Sequence, residues 1–316
     1  MRREWSVGIA IVLLAIVLAF AAPSYFSAGN LRDLFLVNMP VLVAAVGTML
    51  VILSGEIDIS VGSVFAICSV VSGVVAKSGV PVPVAGAAAC AAGAALGAMN
   101  GALVAYGRIP SIVATLAAMV ALRDGLRWST QGAWIADLPQ RFQYLGLTQP
   151  LFPIVAAAIV TTLVAAIAWT MRHVAAGRAV YATGSSAEAA RLAGIDTAAV
   201  KLAVFTTAGT LTGLAALLNS VRFNQIPSNT GLGLEMKVIA AVVVGGTAIT
   251  GGRGTCAGTL LGVILLGAIG PALTFLGVSA QWERALQGAI ILAAVTVDAA
   301  RLPRGARLAR TSTAGV

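Results

Sequence analysis

Apolar runs long enough to cross a bilayer recur from one end of this chain to the other, separated by short polar stretches. They fall near residues 7–22, 36–53, 57–76, 82–106 and 110–122. After a wetter stretch they resume near 151–171, 202–219, 238–250, 255–276 and 285–299. A helix needs about 20 residues to cross a hydrocarbon layer of about 30 Å. Ten such runs in 316 residues leave too little chain for a large domain outside the membrane. Hydrophobic residues make up 59% of the chain and charged residues 10%, where ordinary soluble domains carry about 25% charged residues. No soluble core buries that much apolar surface, so soluble enzymes are excluded. The expected fold is all-α: a polytopic transmembrane helical bundle of about 10 spans, forming one domain over residues 1–316. Runs 110–122 and 238–250 are short for a straight span, which marks them as broken or partly re-entrant helices.

The first run needs a separate test. Arg2 and Arg3 precede an apolar segment ending Ala19-Phe20-Ala21, an arrangement also found in cleavable signal peptides. The run is long for such a peptide and many spans follow it, so an uncleaved first helix is expected.

The net charge of +9 does not come from a basic stripe with interleaved aromatics, so nucleic-acid binding is excluded. Basic residues sit mostly singly between apolar runs, and Arg301, Arg304, Arg307 and Arg310 cluster at the end. Basic residues favour the cytoplasmic side. Ten crossings from an inside N-terminus place 12 of the 20 lysines and arginines inside, so both termini are expected to be cytoplasmic. Trp5, Trp169 and Trp282 then fall near span ends, as an interfacial aromatic belt requires. Cys68, Cys90 and Cys256 lie far apart in apolar runs and read as small core residues. One histidine, His173, and three such cysteines supply neither a metal site nor a catalytic set. Gly93, Gly97 and Gly101 repeat at the spacing that lets helices approach closely.

Three polar segments carry most of the functional information. The first is the loop over about 172–201. Within it, Ser185 to Gly194 reads as a short helix: Ser185 caps its start, Glu188 completes a capping box, and Gly194 ends it in a left-handed turn. Asp196 then caps the next span. The result is either a rigid knob for a cytoplasmic partner or a plain surface connection. The second segment is Gly55-Glu56-Ile57-Asp58-Ile59-Ser60-Val61-Gly62-Ser63. Carboxylates at membrane depth are costly without water, cations or donors. Asp58, Ser60 and Ser63 therefore either line a pathway or cap helices, and Asn100, polar within a span, either joins them or bonds between helices. The third segment contains Gly245, Gly246, Gly251, Gly252 and Gly254, which serve either a moving element or a tight turn. No GxxxxGK[ST] occurs, and none of the lysines (Lys77, Lys201, Lys237) follows a glycine, so a P-loop is excluded.

These segments resemble a known family. Glu188-Ala189-Ala190 followed by Gly194 is similar to the EAA-type loop of ABC importer permeases, and Gly177-Arg178-Ala179-Val180-Tyr181-Ala182-Thr183-Gly184 resembles the run preceding that loop in ribose-type sugar permeases. Ile57-Asp58 with Ser60-Val61-Gly62-Ser63 resembles a signature of the same branch, and the block from Ala240 to Gly254 resembles a third, with Val244 where leucine is usual. The resemblance spans about residues 35–300. It implies coupling to an ATPase through Ala187, Glu188, Ala189, Ala190 and Gly194, and conformational roles for the five glycines. Implied partners are an ABC ATPase subunit, a second permease subunit, an extracytoplasmic solute-binding protein and the bilayer of the cytoplasmic (inner) membrane. No cofactor belongs to this chain, ATP being bound by the partner. Residues 130–139 and 230–237 look more like autoinducer-2 and rhamnose members than plain ribose ones. The cargo implied is a monosaccharide or sugar-like solute of the rhamnose, autoinducer-2 or ribose class. The competing reading is a self-sufficient secondary transporter, for which the chain offers few intramembrane carboxylates beyond Glu56 and Asp58.

Overall fold

A computed structural model describes residues 3–279, 281–283, 285–290 and 292. Among them the architecture is all-α: α1 (Arg3–Ala21), α2 (Ala28–Leu53), α3 (Val61–Lys77), α4 (Val82–Ala105), α5 (Ser111–Thr130), α6 (Leu151–His173), α7 (Ala175–Ser185), α8 (Ala187–Leu192), α9 (Thr197–Ser220), α10 (Leu234–Val244) and α11 (Cys256–Phe275). One isolated antiparallel bridge joins Ile135 and Ile226. Six helices are long and apolar enough to cross a membrane: α1, α2, α4, α6, α9 and α11.

Several boundaries differ from those the apolar runs suggest. The run ending at residue 122 continues as helix to Thr130. Arg123, Asp124 and Arg127 end its hydrophobicity but not its hydrogen bonding, because charged residues are good or tolerable helix formers. The fifth helix is therefore continuous rather than broken. α10, by contrast, has 11 residues and rises only about 16 Å, so it is a partial span. The 57–76 run becomes helical only at Val61. The expected tenth span is described at 285–290 and 292, which are helical; the rest of it, with Asp298, and the terminal arginines lie outside the described residues.

α2 is the central helix. Its residues from Val43 to Leu53 are all buried, and α4, α9, α10 and α11 are packed around this region or one another. A helix that is apolar all round belongs in such a position. α4 and α9 meet through small residues. A Cβ added to Gly97 would collide with the Phe205 carbonyl, and one added to Gly93 with that of Gly209. Lipid supplies no hydrophobic drive between helices, so this close backbone approach is what holds the pair together.

The bundle has two distinct ends. One carries α7, α8, the C-terminus of α2 and the loop between α10 and α11. The beginning of α1 is tied to it, since Thr255 Oγ1 donates to Glu4 Oε1. At the other end two loops are zipped together: Ile135 and Ile226 exchange backbone hydrogen bonds of 3.0 and 2.9 Å, and the Tyr144 amide donates to the Val221 carbonyl at 2.7 Å. Basic side chains fasten these loops to the bundle. Lys77 donates to the Ala136 carbonyl, Arg32 to that of Gln149, and Arg222 to that of Leu36.

Replacing Gly97 by Val should cost at least the ~1–3 kcal/mol typical of an overpacked core. Thermal unfolding of the purified chain in detergent will show a lowered midpoint, whereas Gly125→Val, at an open position on α5, will leave it nearly unchanged.

Candidate functional site

α8 is a six-residue helix held at both ends. Its cap is Ser186, not Ser185: Ser185 is the last residue of α7, whereas Ser186 is extended (φ −161°) and its Oγ accepts from the Ala189 amide at 3.2 Å. This one-residue shift puts Glu188 one position too early to close a capping box. Gly194 does take the left-handed conformation (φ +82°) that lets the chain leave the helix. Asp196 caps α9, accepting from the Ala198 and Ala199 amides at 3.0 Å each. Ala190 points inward and is buried, while Glu188, Ala189 and Gly194 are exposed. Leu192, unremarked in the sequence, is 86% exposed.

Behind α8, the three polar segments come together. Gly184 on α7 lies against the end of α2 so closely that a Cβ there would fall on the Leu53 carbonyl oxygen. That carbonyl accepts from the Gly252 amide at 2.9 Å. Gly251 (φ +84°) contacts Gly55, and Gly252 (φ +72°) contacts Ser185. Tyr181 Oη donates to the Gly254 carbonyl at 2.8 Å. Burial raises the Tyr181 phenol above its usual range, so it stays a protonated donor at neutral pH. The glycine block divides its labour. Gly246, Gly251 and Gly252 occupy positive φ, whereas Gly245 packs on Gly258 of α11 and Gly254 on Thr247.

From Leu53 the chain runs non-helically to Ser60, and its polar groups are met by neighbours. The Ile57 amide donates to Ser111 Oγ at 3.2 Å and the Ile59 amide to Thr115 Oγ1 at 3.1 Å, both on α5. Buried Asp58 accepts from the Ser60 amide at 2.8 Å and from Ser60 Oγ at 2.6 Å. Asn100 of α4, fully buried, donates to Ser60 Oγ at 2.8 Å, and its own Oδ1 has no partner. Ser60 thus stands at the start of α3 without capping it, and Ser63 donates instead to the Met119 carbonyl at 2.8 Å. Glu56 forms an ion pair with Lys201 of α9, both side chains being largely shielded. The pair borders a cavity of about 620 Å³ lined also by Arg108, Arg191 and Asp196, directly beside α8.

A knob at one end is thus joined through backbone contacts to a polar break within the bundle. The family described as "Branched-chain amino acid transport system / permease component" matches residues 30–295. The autoinducer 2 import system permease protein LsrC of Escherichia coli (strain K12 / DH10B) is 36% identical over 299 residues, covering 94% of this chain and 87% of that protein. The ribose import permease protein RbsC of Escherichia coli (strain K12) is 35% identical over 297 residues, covering 92% of each.

The chain belongs to the ribose-type ABC importer permease family.

This permease is accordingly a multi-pass protein of the inner membrane and a transport subunit rather than an enzyme, the ATPase being a separate subunit. The self-sufficient secondary transporter is set aside. No solved structure matches the chain. Among the described residues no cluster of His, Cys, Asp and Glu suits a metal ion, and all three cysteines are free.

Glu56→Lys and Lys201→Glu should each lower thermal stability of the permease, with the double exchange recovering most of the loss. The coupling expected in such a cycle is ~0.5–3 kcal/mol. Thermal unfolding of the four proteins measures it, and strict additivity would show the pair to be inert.

Proposed function

We propose that this permease moves a monosaccharide or sugar-like solute inward, of the class named for its autoinducer-2 and ribose relatives, and that α8 is its coupling helix to an ABC ATPase. The observation that carries the proposal is α8 itself: capped by Ser186, ended by Gly194, and presenting Leu192 bare at its tip. A partner that covers Leu192 gains ~1.5–3 kcal/mol from its burial. Pushing on α8 displaces α7, and through Gly184 it displaces the Leu53 and Gly252 backbone with no side chain to cushion the motion. Ala187, Glu188, Ala189, Ala190 and Gly194 are the coupling residues in this reading, and Gly245, Gly246, Gly251, Gly252 and Gly254 form the turn that follows. Asp58, Ser60, Ser63 and Asn100 lie where the pathway narrows.

In this arrangement the α8 end is cytoplasmic, which also places the start of α1 inside. The bundle then makes about ten crossings with both termini cytoplasmic. α10 pairs with its connecting loop to complete one of them. The partners are two ATPase subunits, a second permease subunit and an extracytoplasmic solute-binding protein that docks on the zipped loops at the far end. ATP binds to the ATPases. Alternating access follows from rigid movement of packed helices, a mode to which glycine contacts of this kind are well suited because packed interfaces switch between discrete arrangements.

Co-purification with the cognate ATPase tests the coupling. Leu192→Asp and Glu188→Arg are expected to weaken ATPase capture at least tenfold, as loss of a buried leucine contact implies. Trp134→Ala, at the far end, should leave capture unchanged. Wild-type capture by both α8 variants would refute the coupling role.

A further inference from the structure

At the end of the bundle opposite α8 lies a cavity of about 1300 Å³ with a mixed polar and apolar lining. Its walls include Val41 of α2, Phe65 of α3 and Asn219 of α9, and its floor is formed by residues 230–237. Glu235, at the floor, is 9% exposed. Its Oε1 accepts from the Gly233 amide at 3.2 Å, while Oε2 has no hydrogen-bond partner. Oε2 faces Gly62 of α3 so closely that a Cβ on that glycine would collide with it. Arg123 of α5 braces the same floor, donating to the Thr230 carbonyl at 2.9 Å and to that of Gly231 at 3.4 Å. Gly62 is two residues beyond Ser60 in the chain, so Glu235 packs against the first turn of α3, next in sequence to the Asp58–Ser60–Asn100 cluster.

A buried carboxylate oxygen with no hydrogen-bond donor carries a desolvation penalty; the nearby Arg123 guanidinium attracts Glu235 electrostatically but donates its hydrogen bonds to the Thr230 and Gly231 carbonyls. A carboxylate is an acceptor only, so what it lacks is a donor, and Gly62 has no side chain to supply one. A solute rich in hydroxyl groups does supply donors, and the cavity is ample against the ~300–1,000 Å³ of ordinary small-molecule sites. We propose that Glu235 is the solute-recognising residue of an outer vestibule. Its free oxygen accepts hydrogen bonds from the hydroxyls of a polyol solute as its contact with Gly62 parts. Arg123 is a positioning residue that holds the floor in place. This assignment rests on the sugar-type cargo proposed above.

The test uses the full chain in right-side-out vesicles, with Cys68, Cys90 and Cys256 replaced by Ala and Leu232→Cys introduced in the cavity wall. A membrane-impermeant maleimide is added outside, with ribose and autoinducer 2 as probes. Labelling from outside is expected, slowed fivefold or more by at least one probe. Adding Glu235→Gln should retain labelling, which also shows the variant to be folded, and abolish the protection. Arg123→Lys, which loses the guanidinium fork, should raise the probe concentration needed for protection at least threefold. Absence of labelling would overturn the vestibule. Protection that survives Glu235→Gln would overturn the role of Glu235 and leave the cargo reading standing, and an unchanged probe requirement in Arg123→Lys would overturn the part given to Arg123. Labelling that neither probe slows would overturn the cargo reading and the assignment with it.

Discussion

Where α2 ends at Leu53, the backbone leaves the helical ladder and does not rejoin it until Val61, and a bilayer offers no hydrogen bonds to the groups set free. Everything around this break is organised to supply them. Ser111 and Thr115 of α5 accept the Ile57 and Ile59 amides, the Asp58 carboxylate accepts the Ser60 amide, and the Gly252 amide satisfies the Leu53 carbonyl. Non-helical backbone at membrane depth is tolerated only where protein or a water-filled cavity meets it. The break therefore draws α5, α4 and the loop after α10 around the stretch from Leu53 to Ser60.

The same satisfaction of polar groups couples distant parts of the chain. The Leu53 carbonyl is at once the hydrogen-bond partner of Gly252 and the surface on which Gly184 rests. Neither glycine can be enlarged without forcing these backbones apart, so α7 and the α10–α11 loop meet the end of α2 at a single point. Glu56 and Lys201 add a charged tie between the break and the second turn of α9, five residues after the Asp196 cap that follows α8. The loop that carries the knob is thus anchored on both sides to the non-helical segment between α2 and α3.

Legibility in the sequence followed the range of the interaction. Helix α8 and its end at Gly194 were readable because capping is local chemistry, decided within a few residues. Its start was misplaced by one residue because Ser185 and Ser186 are equally good caps, and only the tertiary course of α7 determines which one is extended. α5 was read too short because hydropathy stops at Leu122 while the hydrogen-bonded ladder does not. The pairing of Glu56 was not legible, since its partner Lys201 lies 145 residues away in the chain. Leu192 gave no signal at all: a leucine is conspicuous only once its surroundings are known to be empty.

What the sequence determined by itself was the solvent. With 59% hydrophobic residues and 10% charged, the chain has no stable home outside lipid, and the helical class follows because the bilayer admits few alternatives. The motifs around Asp58, Glu188 and Gly251 also marked, without any coordinates, which stretches are more than packing. Tertiary structure alone decided that these three stretches share one junction, that the loops at 130–139 and 221–233 are fastened together, and that residues 230–237 line a cavity with Glu235 among them. The reason is that contacts between glycine backbones carry no side-chain signature. A glycine reads the same in sequence whether it turns the chain, as Gly251 does, or lets two helices touch, as Gly245 does.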